Sequence, residues 1–157
     1  MKITLLVVGK TDGGYLSEGV KIYTDRLKHY TRFSLIEIQL PKSSRQLDPR
    51  QLKDIEGGLI IKQIADADAV VLLDEAGIEF TSADFAADLQ KMMNSGTRHL
   101  IFVVGGAWGF SDEVYKTVKR RLALSKMTFS HQMVRLFFTE QLYRAFTILK
   151  NEPYHNG

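Results

Sequence analysis

Ile3 to Val8 is a six-residue run in which only Thr4 is polar, and it stops at Gly9. A run that short and that apolar predicts a buried strand. Leu16, Val20, Tyr23, Leu27 and Tyr30 then recur at intervals of three and four, which predicts a helix with one apolar stripe. Ile36, Ile38 and Leu40 alternate with Glu37 and Gln39 as in a half-buried strand, and Pro41 to Arg50 reads as a polar loop carrying Lys42, Arg45 and Arg50. A second helix follows, weakened at Gly57-Gly58. Ala69 to Leu73 is a strand closed by Asp74-Glu75-Ala76-Gly77, and Thr81 or Ser82 caps a helix with Phe85, Leu89 and Met92 on one face, stopped at Asn94-Ser95-Gly96. Leu100 to Val104 is again a strand. Ser111 is a good N-cap, with Asp112 and Glu113 at the positive helix start and Lys119 to Arg121 at its negative end. Leu122 to Leu124 is a short fifth strand. The last helix, Gln132 to Lys150, is apolar around much of its circumference and must bury more than one face, the second suited to a partner subunit.

Strands alternating with helices predict an α/β fold: a mostly parallel sheet with helices on both faces, in a single domain over residues 1–157. Ligands in such sheets bind beyond the carboxyl ends of the strands. Leu73 to Gly77, Gly105 to Gly109 and Leu124 to Ser130 each directly follow a predicted strand, so all three belong on one rim.

Composition narrows the class. Hydrophobic content of 45% and charged content of 25% are globular values. The absence of cysteine excludes disulfides, thiol nucleophiles and thiolate-held metals, and fits a reducing compartment. With no apolar run long enough for a signal peptide or a membrane span, the expected location is the cytoplasm, with no membrane partner. The net charge is only +3, yet Val114 to Asn151 holds eight basic residues against the single acid Glu140, an excess of seven. That concentration points to a phosphate-bearing partner, a nucleic acid first, with Lys119, Arg120, Arg121, Lys126, Arg135 and Arg144 as leading contacts and Lys42, Arg45 and Arg50 as a second patch.

Several chemistries fall away. Gly9-Lys10-Thr11 lacks the glycine a phosphate loop needs at position 4, which is Thr4, and Gly105-Gly106-Ala107-Trp108-Gly109 lacks dinucleotide spacing. His29, His99, His131 and His155 are scattered, so no metal is expected, and no serine-hydrolase elbow is present.

Val8-Gly9-Lys10, Leu72-Leu73-Asp74 with Gly77, Phe102 to Gly106 with Gly109, Leu124 to Gln132, Glu140 to Ala145 and the terminal Tyr154-His155 occur in one order along the chain. On these motifs, over nearly its full length, the chain resembles the RlmH family of SPOUT-class methyltransferases. The resemblance implies methylation of N3 of a pseudouridine in bacterial large-subunit ribosomal RNA, on the large subunit or assembled ribosome. It also implies S-adenosyl-L-methionine as cofactor, a C-terminal trefoil knot, and a homodimer. By position it assigns cofactor binding to Leu73, Gly105, Leu124, Ser125, Lys126, Met127, Thr128 and Phe129. Among the tail groups, Arg144 suits stabilising an anion or gripping phosphate, Tyr143 or Tyr154 a base contact, and His155 accepting a proton, so His155, Arg144 and Tyr154 are the catalytic candidates. RNA contacts fall to Lys119, Arg120, Arg121, Arg135 and Arg144. The chain departs from the family pattern at Ala107 and Ser130. Those departures motivate an alternative, a non-catalytic RNA-binding ribosome-assembly factor of the same fold; the fold pattern alone leaves a second, a doubly wound enzyme with a small anionic substrate.

Overall fold

A computed structural model describes all residues from Met1 to Gly157. The chain runs β1 (Lys2–Val8), α1 (Tyr15–Leu27), β2 (Arg32–Ile38), a 3-10 turn (Lys42–Gln46), α2 (Pro49–Ile64), β3 (Ala69–Glu79), α3 (Ser82–Asn94), β4 (His99–Val104), α4 (Asp112–Thr117), β5 (Arg121–Ala123) and α5 (Met133–Leu149). The five strands form one sheet in the order β2-β1-β4-β3-β5, and every neighbouring pair is parallel.

Period-two alternation divides the core. Ile3, Leu5 and Val7 of β1 with Leu100, Phe102 and Val104 of β4 face α1, α3 and α5, where Phe102, Phe138 and Phe85 pack together. Leu6, Val8, Leu72, Ile101 and Val103 face the other way, onto Ile60 and Ile64 of α2 and Val114 of α4. Both faces of β1 and β4 are therefore covered, which is why their sequences are continuous apolar runs. Edge strand β2 is less protected, and Ile36 is exposed despite its place in the alternating pattern.

Three local expectations change. Helix α2 passes unbroken through Gly57-Gly58, with Asp48 and Gln51 forming a capping box and Pro49 in the first turn. Part of the supposed polar loop before it is a 3-10 turn. Strand β3 does not close at Leu73: it bulges through Asp74 to Gly77 and resumes, so that Ile78 and Glu79 pair with Leu122 and Ala123. Gly77 permits this because a Cβ there would lie 2.7 Å from the backbone of Arg121 and Leu122. Helix α5 lies against both α1 and α3, so much of its apolar circumference is buried within one chain. No helix is long and apolar enough to cross a membrane.

Candidate functional site

Leu73 at the bulge of β3, Gly105 after β4 and Leu124 after β5 reach the same edge of the sheet and open onto a single cleft of about 690 Å³. One wall is the loop from Gly105 to Phe110, folded back on itself where Gly109 N–H donates to Gly106 O at 3.1 Å. The facing wall is the segment before α5, contributing Ser125, Met127, Thr128, Phe129, Ser130 and His131. The floor is the bulge of β3. There Asp74 accepts from Ala76 N–H at 2.8 Å and from the Tyr115 hydroxyl, while Glu75 accepts from the Thr128 hydroxyl, tying the bulge to both sides. Burial and the bond to Asp74 push Tyr115 up to about 12, so it stays a protonated donor. Burial, with the Arg135 cation beside it, holds His131 below the usual imidazole value, so it is neutral at pH 7.

The charge of this lining was not legible in the basic C-terminal third. Asp74 and Glu75 lie in the cleft, and no lysine or arginine does. A small, half-apolar cleft with two carboxylates suits a cationic ligand with uncharged rings and opposes a phosphate-bearing one.

Arg135, expected to bind RNA, is fully buried and serves the fold instead. Its guanidinium donates to Val8 O at 2.7 Å, to Gly9 O and Thr11 Oγ1 at 2.9 Å, and lies 3.7 Å from Glu37. Gln132 bonds Asp12 N–H and Lys10 O from the same helix start. Together they fasten the turn after β1 to α5, and the burial of Arg135 keeps its guanidinium from any phosphate in solution.

A second polar cluster forms lower on α5. Glu140 accepts from Arg144 at 2.6 Å and from the Tyr154 hydroxyl at 2.9 Å, and the Arg144 guanidinium lies 4.8 Å from the centre of the Tyr154 ring. Arg144 Nη1 also lies 3.2 Å from His155 Nδ1. Arginine has only donors, so Nδ1 accepts and the ring proton belongs on Nε2. In this arrangement the Nδ1 lone pair of His155, expected to accept a proton, is engaged by Arg144, and the ring offers Nε2–H as a donor. Burial and its bonds to Tyr23 and Glu140 raise Tyr154 well above the usual phenol value, so it too is a donor. The Glu140 bond raises Arg144 further above its ordinary value. The cluster therefore offers positive charge and N–H groups but no free base.

The cluster and the cleft do not meet within the chain. Val134 lines the cleft, and Arg144 is ten residues further along α5, about 15 Å at the rise of an α-helix. None of the tail residues contributes to the cleft lining.

A family model described as predicted SPOUT methyltransferase matches residues 1–155. Ribosomal RNA large subunit methyltransferase H of Christiangramia forsetii is 56% identical over 156 residues, covering 99% of both chains, and that of Parabacteroides distasonis is 52% identical over the same length with the same coverage. The chain belongs to the RlmH family of SPOUT methyltransferases. Among solved structures, a probable methylase family protein from Haemophilus influenzae superposes with a TM-score of 0.57 at 13% identity, covering 99% of this chain and 70% of that one, and shares its fold.

Of the RlmH-type cofactor residues expected from sequence, Leu73, Gly105, Leu124, Ser125, Met127, Thr128 and Phe129 all line the cleft. Lys126 does not: it is exposed on the same loop, outside the lining. Arg120 is paired with Asp88, Arg121 stacks 4.3 Å above the Tyr115 ring, and Lys119 donates to Tyr115 O at 3.2 Å. Asp74 and Glu75 lie on the rim segment Leu73 to Gly77 expected from sequence, though they were not singled out there because the bulge that turns Glu75 toward Thr128 leaves no periodic trace; Tyr115 was missed.

Proposed function

We propose that this chain is an S-adenosyl-L-methionine-dependent methyltransferase acting on N3 of a pseudouridine in large-subunit ribosomal RNA, working as a homodimer with a trefoil-knotted C-terminal region. The observation that carries the reading is the cleft where three strands converge, free of lysine and arginine and holding two carboxylates, in a chain whose residues 1–155 match the family. Its size falls within the roughly 300–1,000 Å³ of small-molecule sites. Gly105 and the segment from Leu124 to Phe129 would hold the adenosine through backbone groups and apolar contact, and Asp74 with Glu75 would face the cationic end. When bound, the cofactor supplies an electrophilic methyl group.

The work left to the protein is to position the pyrimidine in line and to favour loss of its N3 hydrogen. Arg144, held by Glu140, and the Nε2–H of His155 would stabilise the resulting anion, with the proton passing to water. Because these groups lie far down α5 from their own cleft, we place the reaction between two copies, the tail of one facing the cleft of the other. Exposed apolar side chains at the rim, with Trp108 at 58%, Met127 at 76% and Phe137 at 40% exposure, supply material for that contact. Lys119, Lys126 and Arg121, with Lys42, Arg45 and Arg50 before and at the start of α2, would supply cations for RNA phosphates.

Calorimetry with S-adenosyl-L-methionine, followed by mass spectrometry of large-subunit RNA from cells with and without the gene, tests the reading. Measurable binding and one methylated pseudouridine that vanishes with the gene are expected. Absence of binding by folded protein would instead favour the assembly-factor alternative.

A further inference from the structure

Glu56 is a carboxyl the proposed reaction does not use. It projects from α2, is only 4% exposed, and its Oε2 is buried without a hydrogen-bond partner. It sits against Gly106, outside the lining of the cleft. A Cβ at Gly106 would overlap both carboxyl oxygens, lying 2.6 Å from Oε1 and 2.8 Å from the carboxyl carbon. The next residue, Gly57, is pressed as closely against Ser111: a Cβ there would be 3.0 Å from the Ser111 Cβ. Helix α2 thus backs the donor loop at its root and at its Ser111 end, and the contact at the root is an unpaired acid.

An uncharged carboxyl tolerates such a place, whereas an ionised one requires donors. The donors within the contact are backbone N–H groups of the loop and the Ser111 hydroxyl, whose oxygen already accepts from Val114 N–H at 3.3 Å but whose hydrogen is free. Engaging either moves the loop relative to α2. We propose that Glu56 is a positioning residue for the donor site: it props Gly106 from behind, and gain or loss of its proton shifts the Gly105–Gly109 loop and the fit of the methyl donor. This rests on the reading of the cleft as the donor site.

The surroundings leave Glu56 to titrate alone. Gly105 to Ser111 carries no titratable side chain, while α4 brings Asp112, Glu113, Tyr115 and Lys116, α2 itself Lys53 and Asp54, and the segment before α2 Lys42, Arg45 and Asp48. None of these charges shifts it; burial alone raises it to about 7.

Trp108, the only tryptophan in the chain, stands in this loop and reports on it directly. Its fluorescence in the free protein, followed from pH 5.5 to 8.5, should show a transition near pH 7 that Glu56→Gln abolishes. By calorimetry, the dissociation constant for S-adenosyl-L-methionine should weaken about three- to tenfold across the same range in the wild type. In Glu56→Gln it should keep its low-pH tightness apart from titrations of His131 and the ligand, which both proteins share. Glu56→Met, which fills the site without titrating, should behave like Glu56→Gln if the latter folds poorly. A Trp108 transition that survives in the folded variants, or identical binding profiles in wild type and variants, would overturn the proposal while leaving the donor site standing. Failure of every protein to bind the donor at any pH would overturn both.

Discussion

The cleft and the tail cluster are built from opposite materials. The cleft is made of strand ends, loop backbone and apolar side chains, with its two carboxylates pinned by neutral donors. The tail cluster consists of side chains on a helix and the segment after it, with Arg144, Glu140, Tyr154 and His155 bonded to one another. A backbone site is fixed by topology, so it is rigid and tolerant of side-chain change. A side-chain cluster depends on every member. On the proposed reading, donor binding and anion stabilisation would be separable functions, carried by different parts of the chain and joined through a second copy.

The hardest blow to the cleft side is Gly105→Trp. A Cβ at Gly105 already lies 3.3 Å from Gly109 and the Phe110 ring, so the indole is forced into the cleft. Donor binding by calorimetry should disappear and methylation fall by more than about a thousandfold, with the dimer retained by light scattering. Retained activity would break the comparison at its first term. Arg144→Ala strikes the other side: single-turnover methylation should slow by about 100- to 1,000-fold, as for loss of an anion-stabilising donor, while the dissociation constant for the donor stays within about threefold. A matching loss of donor affinity would show that the two regions are not separate.

Arg135 sharpens the line between catalytic and structural cations. Arg135→Met strands the carbonyls of Val8 and Gly9 and the Thr11 hydroxyl, and should cost about 2–4 kcal/mol in urea unfolding without altering the salt dependence of RNA binding. Arg121→Gln should do the reverse, leaving stability nearly unchanged and lowering the slope of log affinity against log salt by about 0.7–0.9. An altered slope in Arg135→Met would contradict its burial. The smallest effect is on stability against pH. Glu56 binds its proton more tightly in the folded chain, so its contribution is complete below pH 4.5 and is lost as the pH rises through about 7. Thermal melts should show that decline in the wild type and a flatter profile in Glu56→Gln.

Hydrophobic patterning carried the fold far. The runs at Ile3–Val8 and Leu100–Val104 are apolar because both sheet faces are covered, and Ser111 and Thr81 cap helices as their positions suggest. The shared rim of Leu73, Gly105 and Leu124 followed from the rule for parallel sheets rather than from any one motif, whereas the strand order came only with the structure. The failures have a common physical origin in nonlocal geometry. Ile36 looked half-buried because period-two patterning cannot tell an edge strand from an inner one. Gly57 looked like a weak point because its role is to admit Ser111 from 54 residues away. Arg135 looked like an RNA contact because charge type does not reveal burial, and the basic excess around it concealed a cleft whose own acidic side chains are Asp74 and Glu75.

The composite site is tested most directly by mixing defects. A heterodimer of one Gly105→Trp chain and one Arg144→Ala chain, purified through two different tags, contains one composite site with both lesions and one with neither. About half the wild-type methylation rate is expected from this heterodimer, although each parent homodimer is slowed by about a hundredfold or more. A heterodimer as inactive as its parents would place cleft and tail of the same chain in one site and contradict it.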